Sequence, residues 1–96
     1  MTLMEKKKRN ERIEKLKNML SQKYSSQDVA GKEFFVKPDG GFFIISPFPG
    51  EMEAVLEYGE DLQEAEQNCL EDGDIFYLNN NDISNVFADM ITEIET

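Results

Sequence analysis

Apolar residues recur along this chain with two different periods. Over residues 5–23, Ile13, Leu16 and Leu20 stand three and four apart, with Met19 and Tyr24 beside them and charged residues elsewhere. That is the spacing of one buried helical stripe. Before Asn10 almost every position is polar, so residues 1–10 have little to bury and predict a frayed or exposed arm.

Ser25-Ser26-Gln27-Asp28 and Gly31 read as a loop, and the pattern then changes to that of strands. Lys32 to Lys37 is centred on Phe34-Phe35-Val36, and Phe42 to Ser46 answers it across Pro38-Asp39-Gly40-Gly41, the chemistry of a tight turn. Both strands are apolar at successive positions, so each face of the hairpin meets an apolar neighbour: helices on one face, a further layer or a partner on the other. Phe35, Phe43 and Ile45 are expected on the face left open. After the Pro47-Phe48-Pro49-Gly50 break a strand resumes over Glu53–Tyr58, with Ala54, Leu56 and Tyr58 facing one way and Val55 and Glu57 the other.

Gly59 ends that strand. Glu60 and Asp61 open a second helix whose stripe is Leu62, Ala65, Cys69 and Leu70, with Glu60, Glu64, Gln67 and Glu71 opposite. Gly73 reads as its C-cap within a Glu71-Asp72-Gly73-Asp74 turn, and Ile75 to Leu78 as a short fourth strand. Asn79 to Asp82 supplies loop and N-cap residues for a final helix over 82–95, where Ile83, Val86, Phe87, Met90, Ile91 and Ile94 keep helical spacing. The sum is a single α+β domain over 1–96. An N-terminal helix precedes a β-β-β-α-β lobe with a mainly antiparallel sheet of three to four strands, and a C-terminal helix follows. The strand–helix–strand unit admits either a right-handed parallel crossover or a return to a sheet edge.

Charge adds what periodicity lacks. The net charge is -10, but all ten Lys and Arg fall at or before Lys37, where five acids oppose them. The first 37 residues thus carry +5, and the remaining 59, with fifteen acids and no base, carry -15. Such a surface repels nucleic acid and anionic membrane and attracts a cationic protein, although acidity also serves solubility. The Lys6-Lys7-Lys8-Arg9 run reads as a solvated arm. No run reaches the length of a membrane span, and the start lacks the apolar stretch of a secretory signal, so a cytoplasmic protein is expected. The single Cys agrees with a reducing compartment.

Chemistry is scarce. With no His and one Cys, imidazole catalysis, His- or Cys-rich zinc sites and intramolecular disulfides are excluded. Cys69 sits on an apolar stripe with no base to activate it and reads as core. Glu53/Glu57 and Asp72/Asp74 are available for paired-carboxylate chemistry, yet such pairs arise by chance among twenty acids. Neither Glu71-Asp72-Gly73-Asp74 nor Asn79 to Asp82 has the spacing of an EF-hand, and Gly40-Gly41 lacks the Lys and helix of a P-loop. No catalytic residue, cofactor or metal ligand is therefore assigned. What remains is a surface. Phe48 and Tyr77 stand as apolar anchors amid Glu53, Glu57, Glu60, Glu64, Glu71, Asp72, Asp74, Asp89 and Glu93, with Asp82 on the same outer face of the last helix.

The run Phe34–Leu78 resembles the HicB-type antitoxin lobe in its Asp39-Gly40-Gly41 turn, its Phe48-Pro49-Gly50 bend and its Gly59-Glu60-Asp61-Leu62-Gln63-Glu64-Ala65-Glu66-Gln67-Asn68 helix entry. That resemblance implies a β-β-β-α-β lobe over 34–78, a partial ribonuclease-H-like fold without catalytic use. The family's C-terminal DNA-binding module has no counterpart after Leu78, and a long N-terminal helix is added, which removes the expectation of autorepression. Ala54 to Leu78, with Leu56-Glu57-Tyr58-Gly59-Glu60-Asp61 and Glu71-Asp72-Gly73-Asp74, is also similar to small acidic immunity proteins of bacterial polymorphic toxin systems. Both resemblances imply a non-enzymatic inhibitor of a cognate toxin, cationic by charge complementarity and a nuclease in one version. The rivals are a structural or regulatory domain that forms homodimers through its apolar hairpin and, more remotely, an enzyme using carboxylates.

Overall fold

A computed structural model of the chain describes residues 1–61, 63, 71–78 and 82–96. Of the helix expected from Glu60 to Leu70, residues 62 and 64–70, Cys69 and Glu64 among them, lie outside the described residues, as does the Asn79 to Asn81 loop.

Helix α1 runs Leu3–Ser21, two residues ahead of the apolar pattern. Its start is fixed by a capping box: the Glu5 N–H donates to Thr2 Oγ1 at 3.2 Å and the Thr2 N–H to Glu5 Oε1 at 3.1 Å. These bonds favour the ionised carboxylate and hold the Glu5 pKa below its ordinary value. Ile13, Leu16 and Leu20 form the buried stripe as the spacing predicts, but the stripe begins one turn earlier, at Arg9, which is only 8% exposed. The arm is thus helical from Leu3, exposed through Lys8, and tied down at its ninth residue.

Five strands follow: β1 Ser26–Val29, β2 Lys32–Val36, β3 Phe42–Pro47, β4 Glu53–Gly59 and β5 Glu71–Tyr77. They form one antiparallel sheet in the order β1-β2-β3-β4-β5. The strand after the segment 60–70 therefore returns beside β4 rather than crossing over. Two differences raise the expected three to four strands to five and lengthen the last. Ser26 to Asp28 is strand, not loop, because Ala30 and Gly31, both at positive φ (53° and 81°), make a two-residue turn that folds the segment back on β2. Glu71 to Asp74 is not a turn either. Val55 opposes Ile75 and Glu57 opposes Asp72, so Leu56 alone faces Gly73 and Asp74, and the glycine marks a bulge inside β5.

The remaining turns follow their residues. Pro49 and Gly50 (φ 79°) occupy the centre of a turn closed by the Glu51 N–H donating to Phe48 C=O at 3.2 Å. Helix α2, Ile83–Ile94, is capped by Asp82, whose Oδ1 accepts the Ser84 N–H at 2.8 Å.

One sheet face packs against α1 and α2. Ile13, Leu16, Leu20 and Tyr24 meet Phe35, Phe43, Ile45, Ala54, Leu56, Phe76 and Leu78, and Val86, Met90 and Ile94 of α2 close the cluster. Fully burying such a side chain contributes about 1.5–3 kcal/mol, so this cluster holds the layers together. Phe43 lies at its centre, stacked on Phe35 at 5.3 Å and edge-on to Tyr24 at 5.4 Å. Phe35, Phe43 and Ile45 are at most 1% exposed, which corrects their expected place on an open face. Strand parity sends their neighbours Phe34 and Ile44 to the opposite face, in a second cluster with Val29 and Phe42.

Candidate functional site

Register decides which acids meet. Glu53 pairs with Tyr77 and Val55 with Ile75, so the outer sheet face at the β4–β5 end shows Ile75, 46% exposed, and Tyr77, 64% exposed, with Glu53 alongside. Phe48 stands one strand further away, its N–H donating to Glu53 C=O at 3.1 Å, and it is 36% exposed. Its own carbonyl accepts from Arg9 Nη1 at 3.3 Å, a bond that anchors α1 to this turn.

Between β5 and α2 lies a groove of about 400 Å³. Asp74 and Tyr77 line it from the strand, and Asn85, Asp89, Thr92 and Glu93 from the helix. Residues 85, 89 and 93 recur every four positions, hence on one helical face beside the buried Val86-Met90-Ile94 stripe. Four of the residues singled out in the sequence, Asp74, Tyr77, Asp89 and Glu93, thus share one site, and among the described residues no Lys or Arg lines it.

Carboxylate crowding leaves a mark there. A side-chain hydrogen bond with Asp74, and the negative charge of Asp74, raise the Glu93 pKa above its ordinary value. Beneath them the Tyr58 ring packs on Gly73, and its hydroxyl is pushed up to about 12, first by burial and then by Asp74 and Glu93. Among the described residues Tyr58 Oη finds no hydrogen-bond partner. The Lys37 ammonium sits 5.2 Å from the Tyr58 ring centroid.

The other singled-out residues do not join the groove. Glu57 lies mid-strand, opposite Ile44 and Asp72 on the outer face. Glu60 lines a separate cavity of about 530 Å³ at the other end of the sheet, with Lys37, Asp39 and Tyr58. That cavity is the larger, but it contains a cation and only one of the singled-out acids. Glu71 and Asp72 are placed by backbone in β5, their side chains lie outside the described residues, and Glu64 lies outside them altogether. Among the described residues, Asp74, Asp89 and Glu93 share the groove, Glu53 and Glu57 lie on the outer sheet face, and Glu60 lines the other cavity. Sequence reading missed Ile75, Tyr58, Asn85 and Thr92. Ile75 was legible in principle, because it alternates with the buried Phe76 in the same way as Tyr77.

Among the described residues no group of three or more Asp, Glu, Cys or His side chains is placed to hold a metal ion, and no helix is long and apolar enough to cross a membrane. No protein-family model, curated protein or solved structure matches the chain.

Proposed function

We propose that this chain is a non-enzymatic inhibitory binding protein, an immunity protein or antitoxin, that neutralises a cationic toxin through the β5–α2 groove. The observation that carries this reading is the convergence of Asp74, Asp89 and Glu93 beside the exposed Tyr77, in a segment with no basic residue after Lys37. A groove of one sign steers an oppositely charged partner and raises its on-rate, while an aromatic anchor supplies lasting affinity. A nuclease fits this charge logic, since the surface that holds phosphates is basic and an acidic protein occupies it as a decoy polyanion. The resemblances to the HicB-type lobe and to acidic immunity proteins point the same way.

Co-expression with the product of the adjacent gene tests it. The expected result is rescue of growth and a co-purifying complex that weakens as salt rises from about 0.1 to 0.5 M. Asp89→Asn and Glu93→Gln should each weaken binding a few-fold, and Tyr77→Ala by about tenfold or more. An adjacent gene product that is neither toxic nor bound removes the reading. A single acid whose loss abolishes activity outright, insensitive to salt, would favour carboxylate catalysis instead.

A further inference from the structure

We infer that the first turns of α1 are a docking arm, and that their partner is a second copy of this chain, whose β5–α2 groove receives the arm through its carboxylates. The inference uses the groove of the proposed function but requires no toxin, and so goes beyond that reading. Leu3 and Met4 are each 82% exposed, more than any other large apolar side chain among the described residues. The capping box at Thr2 and Glu5 nevertheless holds them in a helix, and Arg9 fixes that helix to the β3–β4 turn. Leu3 and Lys7, like Met4 and Lys8, are four residues apart, on the side of α1 turned away from the Arg9-Ile13-Leu16 stripe. Lys6, Lys7 and Lys8 are exposed, and among the described residues none of them forms an ion pair. The chain thus presents an apolar and basic helix end that packs on nothing of its own.

Charge complementarity selects the partner. Anionic lipid and nucleic acid carry negative charge over their whole surface, so the fifteen acids beyond Lys37 are repelled wherever the body follows the arm. A second copy gathers its carboxylates in one groove instead. There Asp89 and Glu93 are exposed on α2 one turn apart, Asp74 stands close enough to Glu93 to share a hydrogen bond, and among the described residues no base lines the site. Lys7 and Lys8 bring the cations that this crowding lacks, and Ile75, 46% exposed along the same groove, offers Leu3 and Met4 an apolar contact. The arm from Leu3 to Lys8 is about a turn and a half of helix, long enough to span the single turn from Asp89 to Glu93. No arm residue lines the groove of its own chain, and Arg9 prevents the arm from folding back to it. Arm and groove are different patches, so copies join head to tail. Each docked arm then occupies the site that a cationic toxin would take.

Sedimentation equilibrium of the full chain tests this. At low salt the average mass should rise with protein concentration, and it should return to that of a single chain at about 0.5 M salt. Lys7→Ala with Lys8→Ala, and separately Asp89→Asn with Glu93→Gln, should each weaken self-association about fivefold or more. Mixed one to one, the two variants should associate again, because one contributes an intact groove and the other an intact arm. A wild-type chain that stays single up to about 1 mM at low salt, a variant that associates as the wild type does, or a mixture that stays monomeric overturns the docking. Vesicles of anionic lipid supply the remaining arm of the experiment. If they capture the wild-type chain but not the Lys7→Ala/Lys8→Ala variant, and no self-association is seen, the arm belongs to a lipid surface and the proposal falls. Because no toxin is present, failure here leaves the proposed function standing, and failure of the co-expression test leaves the self-association to be read from these masses.

Discussion

A methyl group added at Gly73 would lie 2.6 Å from Tyr58 Cδ2 and 2.8 Å from the Leu56 carbonyl oxygen. The ring could swing away, but the carbonyl belongs to the β4 backbone and cannot. Gly73→Ala should therefore destabilise the fold by about 1–3 kcal/mol, the usual range for overpacking a tight site, read as a lower urea midpoint. A loss below about 0.5 kcal/mol would show that the strand yields. Glu93 poses an electrostatic question. Its pKa is raised in the folded state by Asp74, so the pair's contribution to stability is fully present below the ordinary value of 4.5 and is lost as pH rises through the raised value. Glu93→Gln should accordingly raise Tm at pH 7, with the gain shrinking as pH falls through the raised value and gone below about 4.5. A gain that is constant across pH would place the cause in packing rather than in charge.

At the scale of elements, what the sequence reveals depends on whether burial or turn chemistry sets the element. Helix α2 is legible because Val86, Met90 and Ile94 must share one buried face. Strands β2, β3 and β4 are legible because their apolar runs are bounded by Pro and Gly turns. β1 is not, since Ser26-Gln27-Asp28-Val29 is polar and nearly all exposed; only the Ala30-Gly31 turn makes it a strand, and alanine rarely adopts positive φ. The acid-flanked Gly73 resembles a turn in sequence because bulges and turns use the same residues. Helix α1 was hidden at its start for another reason. Its first polar turns are held by one residue, Arg9, whose Nη1 donates to the carbonyls of Phe48 at 3.3 Å and Glu51 at 3.5 Å. No periodicity announces such a contact. Arg9→Ala should cost about 1.5–3 kcal/mol, the range for hydrogen bonds from a charged donor, and should speed amide exchange selectively before Ile13. Exchange that rises evenly through the whole chain would contradict this local role.

Across the whole molecule the charge asymmetry was visible in the sequence, but its shape was not. Fifteen acids after Lys37 suggested one field, and the register of β4 with β5 and the pitch of α2 select which of them meet. Sequence distance misleads here: Asp74 and Glu93 touch although the end of β5 and most of α2 lie between them in the chain, while Glu57 and Glu60, three residues apart, lie in different regions, one mid-strand and one at the cavity beyond the strand's end. The meander order of the strands has a consequence for how the chain reaches this state. Every strand pairs with its neighbour in the chain, so the sheet closes only short loops. The two helices described lie far apart in the sequence, and bonds such as the one the Tyr24 hydroxyl donates to Glu95 Oε1 at 3.1 Å close a loop of 71 residues. Chain entropy favours the short loops first. Leu56→Ala should therefore slow refolding, whereas Met90→Ala should mainly speed unfolding in stopped-flow measurements; the reverse pattern would mean that the helices dock before the sheet. On this route the groove that gathers the acids, lined only by residues between Asp74 and Glu93, forms without waiting for the two helices to meet.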